Sequence, residues 1–225
     1  MLGFQFLDPS LQNFVMGERG LLAQGYTDIL RNYPLYSVVS ILDAAALGAS
    51  YTFFGDAEGQ NSKTRWDTNM LTGGQMSPKE AFLITSINLN IQLASTASDL
   101  FEDADSYLNV SGIELIKRFT QIVFSCNGNN EILTVKTVAL PGGNDLVVQG
   151  VTGIATAGAY NASATNGVQD AGNAFPFVYP LAPGQNFKVV LECTTTAPTL
   201  PTMTTGTGWR VELRLNGWRF RKGTR

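Results

Sequence analysis

The sequence contains no histidine. This removes the commonest general base and the commonest metal ligand, so Ser-His-Asp triads and the usual zinc sites are excluded. Neither Gly-x-Ser-x-Gly nor Ser-x-x-Lys stands in a fitting context. Charge is also scarce: Asp, Glu, Lys and Arg make up 15% of 225 residues, against roughly 25% in a typical soluble domain. Two surfaces fit so little charge, one engaged in subunit contacts and one built of broad Asn, Thr and Gly loops. The first is preferred because the whole chain is charge-poor, not only its loops. No run reaches the ~20 apolar residues of a membrane-spanning helix. Residues 1–7 are apolar but have no basic start and no cleavage pattern, so no secretory leader is expected. The sequons at Asn109 and Asn161 carry no meaning without secretion. Two cysteines, Cys126 and Cys193, lie in strand-like runs, either as free buried thiols or as a disulfide if the strands are neighbours.

What charge there is falls unevenly. The net charge is −3, which gives no global case for nucleic-acid binding. Yet the final stretch holds Arg210, Arg214, Arg219, Arg221, Lys222 and Arg225 against Glu212 alone, while Asp99, Glu102, Asp103 and Asp105 form an acidic stretch. These read as solvated segments or as complementary patches on neighbouring subunits. The acidic stretch lacks the glycine and the distal Glu of a calcium-binding loop, so it reads as a plain loop. Glycines at 142–143 and 153–158 lack the strand-to-helix grammar of phosphate loops and read as turns. Trp209, Trp218 and Phe220 beside arginines read as core or interface anchors ahead of nucleotide-stacking platforms. No catalytic residue, metal site or cofactor is expected.

The sequence has strand-like segments on Gly, Asn and Thr loops. In residues 82–93, Leu83, Ile87, Leu89, Ile91 and Leu93 alternate with Ser86, Asn88, Asn90 and Gln92, the period of a strand with one buried face. Further strands are expected at 51–54, 112–117, 119–126, 131–138, 146–151, 175–181, 187–193 and 209–215. Asn127-Gly128-Asn129-Asn130 is a hairpin signal, and Gly217 is expected to bend or bulge the last strand. Residues 55–78 form a long polar loop whose Trp66, Met70, Leu71 and Met76 need something to dock on. Residues 153–174 have almost no large side chains and read as a surface loop.

Residues 1–48 differ in character. Asp8-Pro9-Ser10 is a helix start, and Leu11, Phe14, Val15, Leu22, Tyr26 and Ile29 recur at roughly helical spacing. Gly17, Gly20 and Gly25 each cost such a helix about 1 kcal/mol relative to Ala and break it. Residues 36–47 read as a second short helix packed on the body. The expectation is a partly helical arm over 1–48, its six apolar residues contacting the body or a neighbouring subunit. An all-β antiparallel jelly-roll sandwich of about eight strands then follows over 49–225.

This layout resembles the jelly-roll capsid proteins of tailless icosahedral viruses, especially bacteriophages. The likeness runs over roughly residues 50–221. It rests on Tyr51-Thr52-Phe53-Phe54, the polar loop to Pro78 and the Phe82-Leu83-Ile84 strand. Further on it rests on Pro180-Leu181-Ala182-Pro183-Gly184-Gln185-Asn186-Phe187 and on Val211-Glu212-Leu213-Arg214-Leu215-Asn216-Gly217. The resemblance implies a non-catalytic shell subunit in a virion, made in the host cytoplasm and forming trimers or pentamers with itself and other virion proteins. It also implies that Arg219, Arg221, Lys222 and Arg225 face a packaged genome or an internal membrane. The chain is too short for a double jelly roll, so a single barrel is expected. The rival reading is a carbohydrate- or surface-binding sandwich, an adhesin or spike-like module using Trp66, Trp209 and Trp218. An enzyme on a sandwich scaffold ranks last.

Overall fold

The computed structural model describes residues 8–95, 106–128, 130–140, 144–147, 163–166, 175–194, 197–202 and 206–223. The elements in chain order are α1 (Pro9–Met16), β1 (Asp28–Leu30), β2 (Leu35–Leu42), β3 (Ser50–Phe53), β4 (Glu80–Ser95), α2 (Ser106–Phe119), β5 (Thr120–Cys126) and β6 (Asn130–Lys136). They continue with a 3-10 turn (Thr137–Ala139), β7 (Asn144–Val147), β8 (Ser163–Asn166), β9 (Phe175–Leu181), β10 (Phe187–Cys193) and β11 (Gly206–Arg221). One sheet runs β2-β11-β4-β9, with β1 beside the far end of β11; the other runs β3-β10-β5-β6. Every pairing within them is antiparallel.

The eight main strands are β2, β3, β4, β5, β6, β9, β10 and β11, and their partners are nested. The first pairs with the last, the second with the seventh, the third with the sixth and the fourth with the fifth. Two further ladders, β11 with β4 and β10 with β5, join these pairs into two sheets. A ladder of four nested strand pairs rolled up in this way is the jelly roll, and the protein is an all-β antiparallel sandwich of that class. The small β7–β8 hairpin lies between β6 and β9.

The inner faces meet in one core. Phe53, Ile122, Phe124, Val189 and Leu191 of one sheet oppose Val39, Ile87, Leu89, Val211 and Leu213 of the other. Met70 and Met76 of the long loop also enter it, whereas Trp66 (83% exposed) and Leu71 (64%) stay in solvent.

The long alternating strand breaks step. Opposite β11, Ser86 pairs with Asn216 and Ile84 with Gly217, so Thr85 is an extra residue in β4. Such a bulge reverses which side chains face inward. Phe82 and Ile84 therefore join Ile87, Leu89 and Ile91 in the inner core, while Leu83 turns outward. The expected irregularity at Gly217 is real, but the added residue sits on the facing strand. Gly217 is needed there because a Cβ would stand 2.0 Å from the Leu83 carbonyl oxygen.

Two expected elements are corrected. Residues 36–42 are strand, not helix: β2 lies along β11, with Val39 opposite Val211 and Ile41 opposite Trp209. Its valines and isoleucine favour a pleated surface. Residues 112–117 are helix, not strand. Ile113 and Ile116 of α2 are buried one turn apart, Glu114 and Arg118 pair on the exposed side, and Lys117 and Arg118 suit the negative helix end.

The start of the chain folds as its signals require. Asp8 caps α1 by accepting a hydrogen bond from Ser10 N at 2.8 Å, and Gly17 ends it. Residues 17–27 then turn back. Leu11, Phe14, Val15, Leu22, Tyr26 and Ile29 pack with Ala81, Leu83, Trp218 and Phe220 in a second core on the outer face of the β11 sheet. All six of these apolar residues pack against the sheet of their own chain. Asn127 and Gly128 have the positive φ expected of the hairpin turn. The acidic stretch and most of residues 153–174 lie outside the described residues.

The cysteines cannot bond. Cys126 is opposite Phe187 and Cys193 opposite Thr120, which puts them at opposite ends of the β5–β10 ladder. That separation is about 20 Å at a strand's rise, far beyond disulfide reach of about 7 Å. Burial also pushes the Cys126 thiol up against a weaker opposing bond from Tyr179. Protein unfolded without reductant should titrate two free thiols; a result of none would contradict this register.

Candidate interaction surface at the basic end of the sheet

The sequence's C-terminal arginines fall into two populations. Before Gly217, Arg210 and Arg214 stand on the outer face, tied to Asp67 at 3.3 Å and to Glu212. The Asp67 carboxyl lies below its ordinary value: burial works against this, and hydrogen bonds from Thr64 and the charges of Arg210 and Lys63 outweigh it. Beyond Gly217 the strand reaches the end of the sandwich, where β1, the start of β4 and the turn after α1 converge. Lys222 N donates to Lys79 O at 3.0 Å, Gly223 N to Gly25 O at 3.0 Å, and Tyr26 Oη to Pro78 O at 3.0 Å.

Arg219 does not belong to the surface. Its side chain is 4% exposed, its guanidinium donates to Glu80 Oε2 at 2.5 Å, and it lies 5.1 Å from the Tyr33 ring centroid. This overturns its expected contact with a genome or membrane: the alternation of β11 turns residue 219 inward, and Glu80 meets it there. Arg221, 40% exposed, shares Glu80 through Oε1 at 3.0 Å and keeps an outward side. Lys222 is exposed and lies 5.6 Å over the Tyr26 ring. Burial raises the Tyr26 hydroxyl above its ordinary value. Arg225 lies outside the described residues.

Two further cations complete the cluster. Arg31 follows β1 and stands 5.2 Å over the Trp218 ring. Lys79 precedes β4 and is exposed. The only sequence signal for either was its charge, because their nearness to residue 221 comes from β1 and β4 both pairing with β11. The outcome is a surface with Arg31, Lys79, Arg221 and Lys222 against exposed Asp28, with aromatic faces under two of the cations. Cations held over rings keep fixed positions while offering their charge outward. Such a surface can receive phosphate-bearing chains; among the described residues it contains no nucleophile paired with a base.

The three tryptophans form no platform. Trp209 is in the inner core, Trp218 packs in the second core, and Trp66 stands alone on the long loop. No known family's model matches the chain, and no curated protein matches it either. No helix among the described residues is long and apolar enough to cross a membrane.

Proposed function

We propose that this protein is a self-assembling shell subunit, a jelly-roll capsid protein of an icosahedral virion, without catalysis. The nested strand order carries the reading, since viral capsid domains are among the main users of this fold, with lectin and cupin domains the others. Fold alone does not assign function, so the surface must also fit. Leu42, Trp66, Leu71, Val138 and Val178 expose apolar area on a charge-poor chain, as repeated subunit contacts need. Closed symmetric shells reuse such patches in every copy. The separation of the tryptophans weighs against the rival sugar-binding reading. In this reading the basic end faces inward and contacts the phosphates of packaged nucleic acid.

Light scattering with negative-stain imaging of the purified chain tests the shell. Closed particles of megadalton mass are expected. A monomer at every concentration would favour the surface-binding module. For the basic end, combining Arg31→Ser, Lys79→Ser and Lys222→Ser spares the buried Arg219–Glu80 pair. Assembly should persist while retained nucleic acid falls, and the salt slope of binding should drop by roughly one for each phosphate no longer neutralised. Unchanged binding to nucleic acid with weakened binding to anionic vesicles would instead assign this end to lipid.

A further inference from the structure

Most edges of the two sheets are closed to further pairing. On β9, Pro176 and Pro180 lack the N–H groups that pairing needs. On β6, Leu133 pairs with Phe124 and Glu131 with Ser125, so Ile132 bulges out of the ladder. β3 has four residues and β1 three. These are the usual protections of edge strands.

The edge of β2 is covered over only half its length. Residues 67–69 run antiparallel to it: Val38 N donates to Asp67 O at 2.8 Å, Tyr36 N to Asn69 Oδ1 at 3.0 Å, and Ser37 bridges to Thr68. In that register residues 66 and 65 would go on to cover Val39 and Ser40. They do not, because the chain turns at Thr64, whose carbonyl accepts from Asp67 N at 2.9 Å. It lies over the outer face instead, where Arg65 O accepts from Tyr36 Oη and Trp66 O from Arg210. Tyr36 and Val38 point their backbone groups away from β11, so strand alternation points those of Ser40 and Leu42 the same way. Among the described residues, no backbone bond closes them on that side. Trp66 and Leu42, both largely exposed, flank this open stretch.

We propose that two copies of this chain pair here edge to edge, antiparallel, about a two-fold axis beside Ile41; this rests on the self-association argued above, though not on closure of a shell. The stretch is self-complementary. Its outward residues 40 and 42 stand symmetrically about 41. Ser40 of each copy therefore exchanges backbone bonds with the partner's Leu42. Opposed residues share a face, and Arg210, opposite Ser40, holds the Trp66 carbonyl on that outer face. The axis thus brings the partner's Leu42 to the end of the stretch where Trp66 lies, and each exposed apolar side chain covers the other. Charge agrees: exposed Arg65 precedes Trp66 and Asp43 follows Leu42, so a guanidinium meets the partner's carboxylate. The segment 67–69 leaves room. β2 ends at Leu42 and the chain crosses toward β3 of the other sheet, with Ala44 N donating to Pro201 O at 3.1 Å. The partner's chain leaves the edge before it would meet Asp67.

Cross-linking of two full-length versions of different tag mass tests this. One carries Ser40→Cys, the other Leu42→Cys, and they are mixed and oxidised. Opposed Cα atoms in such a pair are about 5.5 Å apart, within disulfide reach. Two Ser40→Cys copies, or two Leu42→Cys copies, stand diagonally at about 7–8 Å, beyond it. The mixture should give at least about tenfold more disulfide-linked dimer than either version alone, with the unsubstituted chain as background for Cys126 and Cys193. Ser40→Pro removes only a solvent-side N–H and leaves the β11 ladder intact. It should raise the concentration needed for dimers about tenfold, one bond being lost per copy, at an unchanged thermal midpoint. Equal cross-linking by the mixture and by either version alone, or large particles without the preferred cross-link, overturns the edge pairing and leaves the shell reading standing. A cross-linked dimer that never grows larger upholds the pairing and overturns the shell. A monomer at every concentration overturns both.

Discussion

Glu80→Gln destabilises the fold by about 3–5 kcal/mol, the usual cost of removing one partner from a buried ion pair. The substitution keeps shape and removes charge. The Arg219 guanidinium, 4% exposed, then has a neutral amide where its carboxylate stood, and the Tyr33 ring remains as its other contact. Its Nε already lacks a hydrogen-bond partner, so the group has no reserve. Arg221 responds differently. Being 40% exposed, it regains water when Glu80 is replaced. Arg221→Ala should therefore change stability by no more than about 1 kcal/mol. Glu80→Leu combined with Arg219→Met removes both charges and should recover most of the stability, since apolar replacement of a buried pair is often neutral or stabilising. Urea denaturation of the variants, with slopes compared, checks the set. Glu80→Gln within about 1 kcal/mol of wild type would show the pair to be more hydrated than its burial indicates.

This pair also marks where reading the sequence stops. The charges of residues 219–222 are plain in it, but not which of them are spent internally. Glu80 and Arg219 come together through a register between strands far apart in the chain. Strands with one wet face were legible from alternation, as in β10 and β11. β2 was not, because Val38 on its outer side is also buried, with residues 63–69 along that edge, so the pattern looked continuously apolar. The Thr85 bulge was hidden because Phe82, Leu83 and Ile84 are all large and apolar and are shared between two cores. Of the basic surface, Arg221 and Lys222 were found by charge density; Arg31 and Lys79 join only after β1 and β4 have paired with β11.

The two cores give the basic end its position. Without the α1 turn packed on Leu83 and Phe220, Tyr26 would not lie beneath Lys222. Without β1 on β11, Arg31 would not reach Trp218. The segment that reads as an arm is thus part of the surface's scaffold. One arrangement, the second core against the end of β11, fixes the positions of the cations at this end of the sandwich.

Gly112→Val costs about 3 kcal/mol, at the upper end of the range for overpacking a filled core. α2 crosses β11 where Trp209 is fully buried, and the crossing is possible because residue 112 has no side chain. A Cβ there would stand 1.9 Å from Trp209 Cζ2 and 2.3 Å from Cε2. The ring cannot easily turn aside, since its strand is paired on both sides: Trp209 is opposite Ile41 of β2 and Leu93 of β4. The better helix propensity of Val over Gly returns only a few tenths of a kcal/mol. Trp209→Ala alone should cost about 3–5 kcal/mol through the cavity it leaves. In that background the Gly112→Val side chain has room, so the double variant should be more stable than the sum of the two single effects by about 0.5–3 kcal/mol, the range for residues in contact. A four-variant denaturation cycle measures this coupling. Strict additivity would mean that α2 does not rest on Trp209, and would remove the physical reason for a glycine in the middle of this helix.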